Sequence, residues 1–248
     1  MAKPYLSVII PTRDNGETIS LMLLDVDRYL REKKFSYEIL VVDDGSEDRT
    51  AAAVNALVPT VKNLKIIQNA GTRGIGTAVK IGVLTSKGVW RLVTDPYESI
   101  SVAEFAALIP RIAPRENTHM FIASRSHPES SVKGMPIMRR LIEGGMNIAF
   151  RLAHKSSVRD VLTPFLCVSE EIVDPIFSRM QSQDFGYLCE AVTRGTALGY
   201  RIEEIPVSMV IKSQKNPISY LQTGRETATI WWQLRRKSRV EEMPSNAV

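Results

Sequence analysis

Asp95 closes an apolar run, Val89-Trp90-Arg91-Leu92-Val93, and a second acid, Glu98, follows three positions later. Two carboxylates so placed could share Mg2+ or Mn2+ with phosphate oxygens, because these cations take one or two carboxylates and leave room for phosphate. The same residues also read as an Asp-Pro turn leading into a helix capped by Ser99 or Ser101. Three further polar loops carry chemistry of a related kind. Asp43-Asp44-Gly45-Ser46 could accept hydrogen bonds from a uracil or guanine ring and from ribose hydroxyls. It also reads as a turn whose Ser46 caps the next helix, with Glu47 and Asp48 in the first turn; the two readings are compatible. Asn69-Ala70-Gly71-Thr72-Arg73-Gly74-Ile75-Gly76 is glycine-rich and precedes a helix, so backbone could approach a phosphate at a helix start. Its spacing is neither the dinucleotide fingerprint nor a Walker loop, which disfavours a Rossmann dehydrogenase. Residues 11–17 add polar groups after the first apolar run, or form a helix start with Asn15 as cap.

The elements that must position these loops alternate. Strand-length apolar runs occur at Leu6-Ser7-Val8-Ile9-Ile10, Ile39-Leu40-Val41-Val42, Leu64-Lys65-Ile66-Ile67, residues 89–93 and Met120-Phe121-Ile122-Ala123. Helical stretches cover residues 18–33, 51–57 and 77–86. Val- and Ile-rich runs separated by helices predict an α/β fold, a mostly parallel sheet with helices on both faces. Ligands in such sheets bind beyond the carboxyl ends of the strands, and all four polar loops follow a strand at that end. Residues 127–136 form a polar loop long enough to be a flexible lid. A helix with a basic start, Arg139-Arg140, follows over 138–154. Beyond it come a short strand at 165–168, helices near 170–180 and 186–198, and a strand pair or bent strand over 201–211. Residues 1–212 are expected to form one domain, followed by a basic, amphipathic helix and tail over 213–248.

With 248 residues, 44% of them hydrophobic, the chain can bury a full core. Its net charge of +5 suits anionic ligands or an anionic membrane surface; no nucleic-acid partner is expected. Cys167 and Cys189 match no metal-ligand spacing and no disulfide framework, which fits a reduced cytosolic setting. The three histidines fall in no ligand pattern, and no Ser-His-Asp or Cys-His grouping is arguable. No signal peptide is expected, and no apolar run reaches the roughly 18–20 residues that span a bilayer. A soluble or peripheral protein is expected, cytoplasmic or on the cytoplasmic membrane face.

On these residues the chain resembles the family 2 glycosyltransferases with a GT-A fold. The marks are Val8-Ile9-Ile10-Pro11-Thr12-Arg13-Asp14-Asn15, Val41-Val42-Asp43-Asp44-Gly45-Ser46-Glu47-Asp48-Arg49-Thr50, and residues 69–82. It is most similar to the polyprenyl- or dolichyl-phosphate glucosyl- and mannosyltransferases, whose later features appear as Ala123-Ser124-Arg125, Arg139-Arg140, Arg159-Asp160 and Gly186-Tyr187 leading to Glu190. The resemblance implies that Pro11, Asp14 and Glu17 border the nucleotide, Asp43 contacts the base, and Asp44 lies near the ribose. Arg73 and Gly74 would lie near the nucleotide or sugar diphosphate, and Asp95 would reach the metal. Ser124 and Arg125 would face the donor sugar or acceptor phosphate, while Arg139 and Arg140 would grip a lipid phosphate. Asp160 and Glu190 are the later acids placed near the transfer site.

Three departures stand out. The family's Asn-Glu reads as Asp14-Asn15-Gly16-Glu17, its Asp-x-Asp as Asp95-Pro96-Tyr97, and its Thr-Gly-Phe as Leu162-Thr163-Pro164-Phe165. The resemblance implies inverting transfer of a hexose from a UDP- or GDP-sugar to a polyprenyl phosphate. Residues 218–239, with Trp231-Trp232 beside Arg235-Arg236-Lys237, could then lie at a membrane interface or pack on the core. Two alternatives remain open: a glycosyltransferase with a non-lipid acceptor, and a nucleotide-sugar-binding protein whose metal site has degenerated.

Overall fold

Strands β1 (Leu6–Thr12) and β2 (Tyr37–Asp43) are buried along their whole length, because successive side chains enter two different cores. Ile9, Leu40 and Val42 pack on one face with Ala78, Val79 and Val83 of helix α3 (Ile75–Thr85). Val8, Ile10, Ile39 and Val41 pack on the other with Leu23 and Val26 of α1 (Ile19–Arg31) and Val54 of α2 (Thr50–Leu57). Runs apolar at every position therefore mark strands covered on both sides, as a mostly parallel sheet requires. The computed structural model describes residues 3–33, 35–94, 98–100, 118–154, 156–211, 225, 228 and 229.

The main sheet has seven strands, completed by β3 (Leu64–Gln68), β4 (Trp90–Val93), β6 (Met120–Ser124), β8 (Leu166–Ser169) and β9 (Ile202–Pro206). Their order is β3-β2-β1-β4-β8-β6-β9, and β8 alone runs antiparallel to both its neighbours. The chain steps outward from β1 through β2 to β3, then returns to lay β4 on the other side of β1. The order reverses between β1 and β4, so the crevice for a ligand opens beyond their carboxyl ends. The α/β architecture expected from the sequence is the one observed.

Several local expectations are corrected. Residues 170–180 form no single helix but a 3-10 turn at Glu170–Ile172 and a π turn at Asp174–Ser178; Pro175 has no N–H for a regular helical ladder. Residues 201–211 divide between sheets: β9 edges the large one, and β10 (Ser208–Ile211) is the centre of a small three-stranded one. Strand β5 (Glu98–Ile100) places Ser99 within a strand rather than at a helix cap, and the alternative start at Ser101 lies outside the described residues. Strand β7 (Ser131–Lys133) pairs with β10 inside the expected lid. Ser130 Oγ donates to the Ser124 carbonyl and accepts the Val207 amide, which pins that segment further. Helix α4 (Ile137–His154) follows it, and α5 (Tyr187–Ala197) precedes β9. The expected tail helix lies mostly outside the described residues; Arg225, Ala228 and Thr229 are helical.

Candidate active site

At the ends of β1 and β2 the chain's own acids stitch two loops together. Asp14 adopts a left-handed conformation, φ 53°, which aspartate tolerates better than most residues. There its amide donates to Ser46 Oγ at 2.9 Å, and its Oδ1 accepts the Glu47 amide at 2.9 Å. The capping roles expected of Asn15 and Ser46 are not observed. The Thr18 and Ile19 amides go to the Asn15 backbone carbonyl. Asp48 Oδ1 instead accepts the Thr50 amide at the start of α2, and its Oδ2 accepts the Gly16 amide. Asp43 is buried, and its Oδ1 takes both the amide and the hydroxyl of Ser46. Its Oδ2 accepts no hydrogen bond among the described residues, which leaves one carboxylate oxygen uncommitted at the strand end. Pro11 is buried in β1 beside Val42, whereas Glu17 is exposed at the start of α1.

The glycine-rich turn is built differently from the expected phosphate cradle. Asp44 Oδ1 accepts the Asn69 side-chain amide and the Arg73 backbone amide, and its Oδ2 accepts the Gly74 amide at 2.8 Å. The aspartates are therefore not both free, and the anion at this turn belongs to the protein. The glycines serve contact with a late segment of chain instead. A Cβ on Gly74, at φ 91°, would stand 2.3 Å from the Gln183 carbonyl oxygen, and one on Gly76 would stand 2.6 Å from that of Asp184. The Thr77 amide donates to the Gln183 carbonyl. Asp184 accepts the Ile75 amide; burial, and then the Asp44 carboxylate, push its pKa up. Glu190 holds the same segment from behind. Its fully buried carboxylate accepts the Gln181 and Ser182 amides and pairs with Arg194 at 2.6 Å. It braces that segment.

A second cluster lies at the end of β6. Arg125 donates from Nε to Asp160 Oδ2 at 2.8 Å and from one terminal nitrogen to Oδ1 at 2.9 Å. Its other terminal nitrogen pairs with Glu143 Oε2 at 2.8 Å. All three guanidinium nitrogens thus face the protein's own carboxylates. Burial alone would raise the Asp160 pKa, but the Arg125 charge and hydrogen bonds, with the Leu162 amide, hold it below the usual range. Asp160 is consequently an ionised anchor, unsuited to donate a proton. Glu204 Oε1 accepts the Arg159 and Asp160 amides and fixes the turn that presents it. Arg139 donates to Glu143 Oε1 at 2.6 Å, one turn apart on α4. Arg140 and Lys133 are exposed. The Ser124 and Thr94 hydroxyls are buried without hydrogen-bond partners among the described residues.

Among the described residues no three His, Cys, Asp or Glu side chains gather to hold a metal. Asp95, Pro96 and Tyr97 lie outside the described residues, and of Glu98 only the strand backbone is described. The described residues therefore do not by themselves fit a divalent cation. The structure unites Asp14, Asp43, Asp44, Arg73 and Gly74 in one network, and Arg125, Arg139 and Asp160 in another, with Ser124 beside Arg125 but its hydroxyl outside that network. Sequence reasoning missed Glu143 and Asp184. The four-residue spacing from Arg139 to Glu143 on a helix was the available signal for one of them.

Residues 7–153 match the family model described as glycosyl transferase family 2. The chain is 28% identical over 215 residues to a dolichyl-phosphate beta-glucosyltransferase of Dictyostelium discoideum, covering 82% of this chain and 66% of that protein. It is 27% identical over 214 residues to a dolichyl-phosphate beta-glucosyltransferase of Trichomonas vaginalis, covering 83% of this chain and 66% of that one. The chain thus spans just under two thirds of the length of the curated relatives it matches. Among solved structures it is similar to glucosyl-3-phosphoglycerate synthase from Mycobacterium tuberculosis in complex with Mn2+, UDP and glucosyl-3-phosphoglycerate. That match has a TM-score of 0.69 and 16% identity, over 93% of this chain and 79% of that one. The same synthase with Mn2+ and UDP-glucose aligns at a TM-score of 0.68. These likenesses bear on the fold, and the match over residues 7–153 bears on descent: the chain belongs to glycosyl transferase family 2.

Proposed function

We propose that this protein is an inverting glycosyltransferase that moves a hexose from a UDP-sugar to a polyprenyl phosphate. One observation carries the choice of a lipid acceptor over a soluble one: α4 is folded with its apolar stripe outward. Ile137 is 79% exposed and Leu152 77%, with Met138, Leu141 and Ile148 exposed between them, whereas Glu143 and Asn147 face inward. Its one acid is buried, so the outward surface offers apolar side chains beside Arg140 and Arg151. That combination fits an anionic lipid surface. Burying a large apolar side chain contributes about 1.5–3 kcal/mol, against about 1 kcal/mol for a basic residue near anionic lipid, so the apolar stripe would dominate attachment. No helix among the described residues is long and apolar enough to cross a membrane. A lipid acceptor would then be met at the interface, beside Arg139 and Arg140 at the head of α4.

The donor side of the reading follows from Asp43, whose uncommitted Oδ2 suits the N–H of a uracil ring, and from the UDP held by the similar synthase. An acceptor phosphate is already anionic and needs little help from a general base. Catalysis then rests on aligning acceptor with donor and neutralising the departing diphosphate. A Mg2+ or Mn2+ ion would supply part of that charge; Asp95 is the residue we assign to it, and Arg73 or Lys133 would supplement it.

The test is transfer from labelled UDP-glucose by purified protein, offered polyprenyl phosphate in vesicles or 3-phosphoglycerate in solution, with and without Mn2+. Label moving into the organic phase is the expected result. Label moving to 3-phosphoglycerate would replace the lipid acceptor with a soluble one. Tyr97 at the second Asp-x-Asp position favours one further reading, a nucleotide-sugar-binding protein without turnover. UDP binding that ignores Mn2+, with no transfer to any acceptor, would establish that reading instead.

A further inference from the structure

Glu143 is an acid buried at the head of an otherwise basic and apolar helix. Its side chain is 3% exposed, and its two oxygens serve two different arginines: Oε2 pairs with Arg125 and Oε1 with Arg139. One turn further along, Asn147 donates to Asp160 Oδ1 at 3.3 Å and accepts the Val161 amide at 3.0 Å. The inward stripe Arg139-Glu143-Asn147 thus binds α4 to the Arg125–Asp160 pair entirely through polar groups, before Phe150 enters the apolar core. Stability alone does not call for this. A buried ion pair is often matched or surpassed by apolar residues of similar volume, because desolvating the charges offsets their attraction. What an apolar residue at 143 cannot supply is a fixed direction for two guanidinium planes.

We propose that Glu143 is a positioning residue for the acceptor phosphate, aiming Arg139 and coupling the outward-facing helix to the Arg125–Asp160 pair. The proposal rests on the acceptor reading above. The Arg139 side chain is 12% exposed against 5% for Arg125, so of the two it lies nearer solvent, beside the exposed Arg140. Glu143 holds it from the buried side. A phosphate docking at this corner meets a guanidinium already oriented, with its side-chain entropy spent on folding rather than on binding.

Charge and orientation predict opposite results, which makes the proposal testable. Arg125, Arg139, Glu143 and Asp160 together are neutral, and Glu143→Gln leaves them with one net positive charge. If charge alone mattered, the variant would bind a phosphate more tightly. If Glu143 acts by positioning, the variant binds it more weakly in spite of the added charge. The experiment measures transfer to polyprenyl phosphate in vesicles for wild type, Glu143→Gln and Arg139→Lys. Calorimetric titration with farnesyl phosphate and with UDP accompanies it. Expected are an acceptor KM and a farnesyl phosphate Kd about tenfold higher in both variants, kcat changed less than KM, and UDP affinity unaltered. Arg139→Lys keeps the charge but loses the planar fork, so it reads whether Arg139 meets the phosphate. Glu143→Asp keeps the charge but shortens the reach to the two arginines, and it reads the positioning if Glu143→Gln folds poorly. Unchanged or tighter acceptor binding in the variants overturns the proposal. A wild type that binds farnesyl phosphate but transfers no sugar sinks the transferase reading and leaves the positioning claim to be decided by the titrations. A wild type that binds no farnesyl phosphate overturns both.

Discussion

Asp44 and Gly74 lie 30 positions apart, and Oδ2 of one accepts the backbone amide of the other at 2.8 Å. With the Arg73 amide and the Asn69 side chain on Oδ1, this carboxylate organises the glycine-rich turn from within. Replacing Asp44 with Asn turns one acceptor into a donor facing an N–H and removes a charge that three donors share. Hydrogen bonds to a charged group contribute about 1.5–3 kcal/mol each, so a net loss of about 3 kcal/mol is expected. At roughly 2–4 °C per kcal/mol for a chain of this size, Tm should fall by about 6–12 °C. Thermal unfolding followed by circular dichroism measures it, and an unchanged Tm would mean the turn is held by something else.

Two glycines should respond to alanine in opposite directions. A Cβ on Gly76 would lie 2.6 Å from the Asp184 carbonyl oxygen and 2.7 Å from that of Ser182. Both are backbone atoms, so the loop must shift, and overpacking of this kind costs about 1–3 kcal/mol. A Cβ on Gly144, inside α4, meets nothing within 4 Å. There Ala gains only helix propensity, about 0.5–1 kcal/mol. Urea denaturation of both variants should show Gly76→Ala less stable and Gly144→Ala more stable than wild type. The same sign for both would contradict the packing described.

These residues mark how far the sequence could be read. The sheet was legible because strands buried on both faces are apolar at nearly every position, and the four polar loops fall after strand ends whatever the details of packing. What each acid does was not legible. Asp44 and Glu190 stand where a ligand contact was expected, yet their partners are groups of the protein itself, and the segment around Gln183 returns to the glycine-rich turn about 110 residues after it. No local spacing encodes such a meeting. Helix α4 is a sharper case, because its periodicity marks an apolar stripe but not which way it faces. Ordinarily that stripe would turn inward; here Arg139, Glu143 and Asn147 take the inner side because Arg125 and Asp160 wait there.

Asp160 should govern part of the acid sensitivity. Its carboxyl is held below its usual value of 3.8, burial opposing and Arg125 more than compensating. A depressed folded-state pKa contributes stability that is present above the unfolded value and lost as pH falls through the folded one. Asp160→Asn leaves Arg125 with one buried partner fewer, at a cost of about 3–5 kcal/mol. Stability curves for wild type and variant should be separated by that amount at pH 6 and begin to converge only below about pH 3.8. Convergence already near pH 6 would place the carboxyl's titration elsewhere.

Asp184 should behave with the opposite sign. Burial and the neighbouring Asp44 raise its folded-state pKa above 3.8, so ionising it works against the fold. Its contribution is complete below the unfolded value and lost as pH rises through the folded one. Asp184→Asn keeps an oxygen for the Ile75 amide and removes the repulsion. The variant should therefore melt higher than wild type at pH 7, with the difference disappearing near pH 3. A variant less stable than wild type at pH 7 would show that the charge is favourable where it sits.

Asp43 differs from Asp44 in having one oxygen to spare, and the two should separate cleanly on mutation. Ser46 occupies Oδ1, while Oδ2 accepts nothing among the described residues. Asp43→Asn can keep its oxygen toward Ser46, so stability should change by about 1 kcal/mol or less. The amide nitrogen then stands where Oδ2 stood, a donor in place of an acceptor. A uracil ring presents its N3–H as a donor, whereas cytosine presents N3 as an acceptor, and the substitution should therefore invert their ranking. By calorimetry, UDP affinity is expected to fall by about 10–100-fold, since a donor facing a donor forfeits the charged hydrogen bond and leaves both groups unpaired. CDP affinity should hold or rise in the same variant. Equal losses for UDP and CDP would point to a disturbed loop rather than a lost base contact, and no loss for either would remove Asp43 from the nucleotide site.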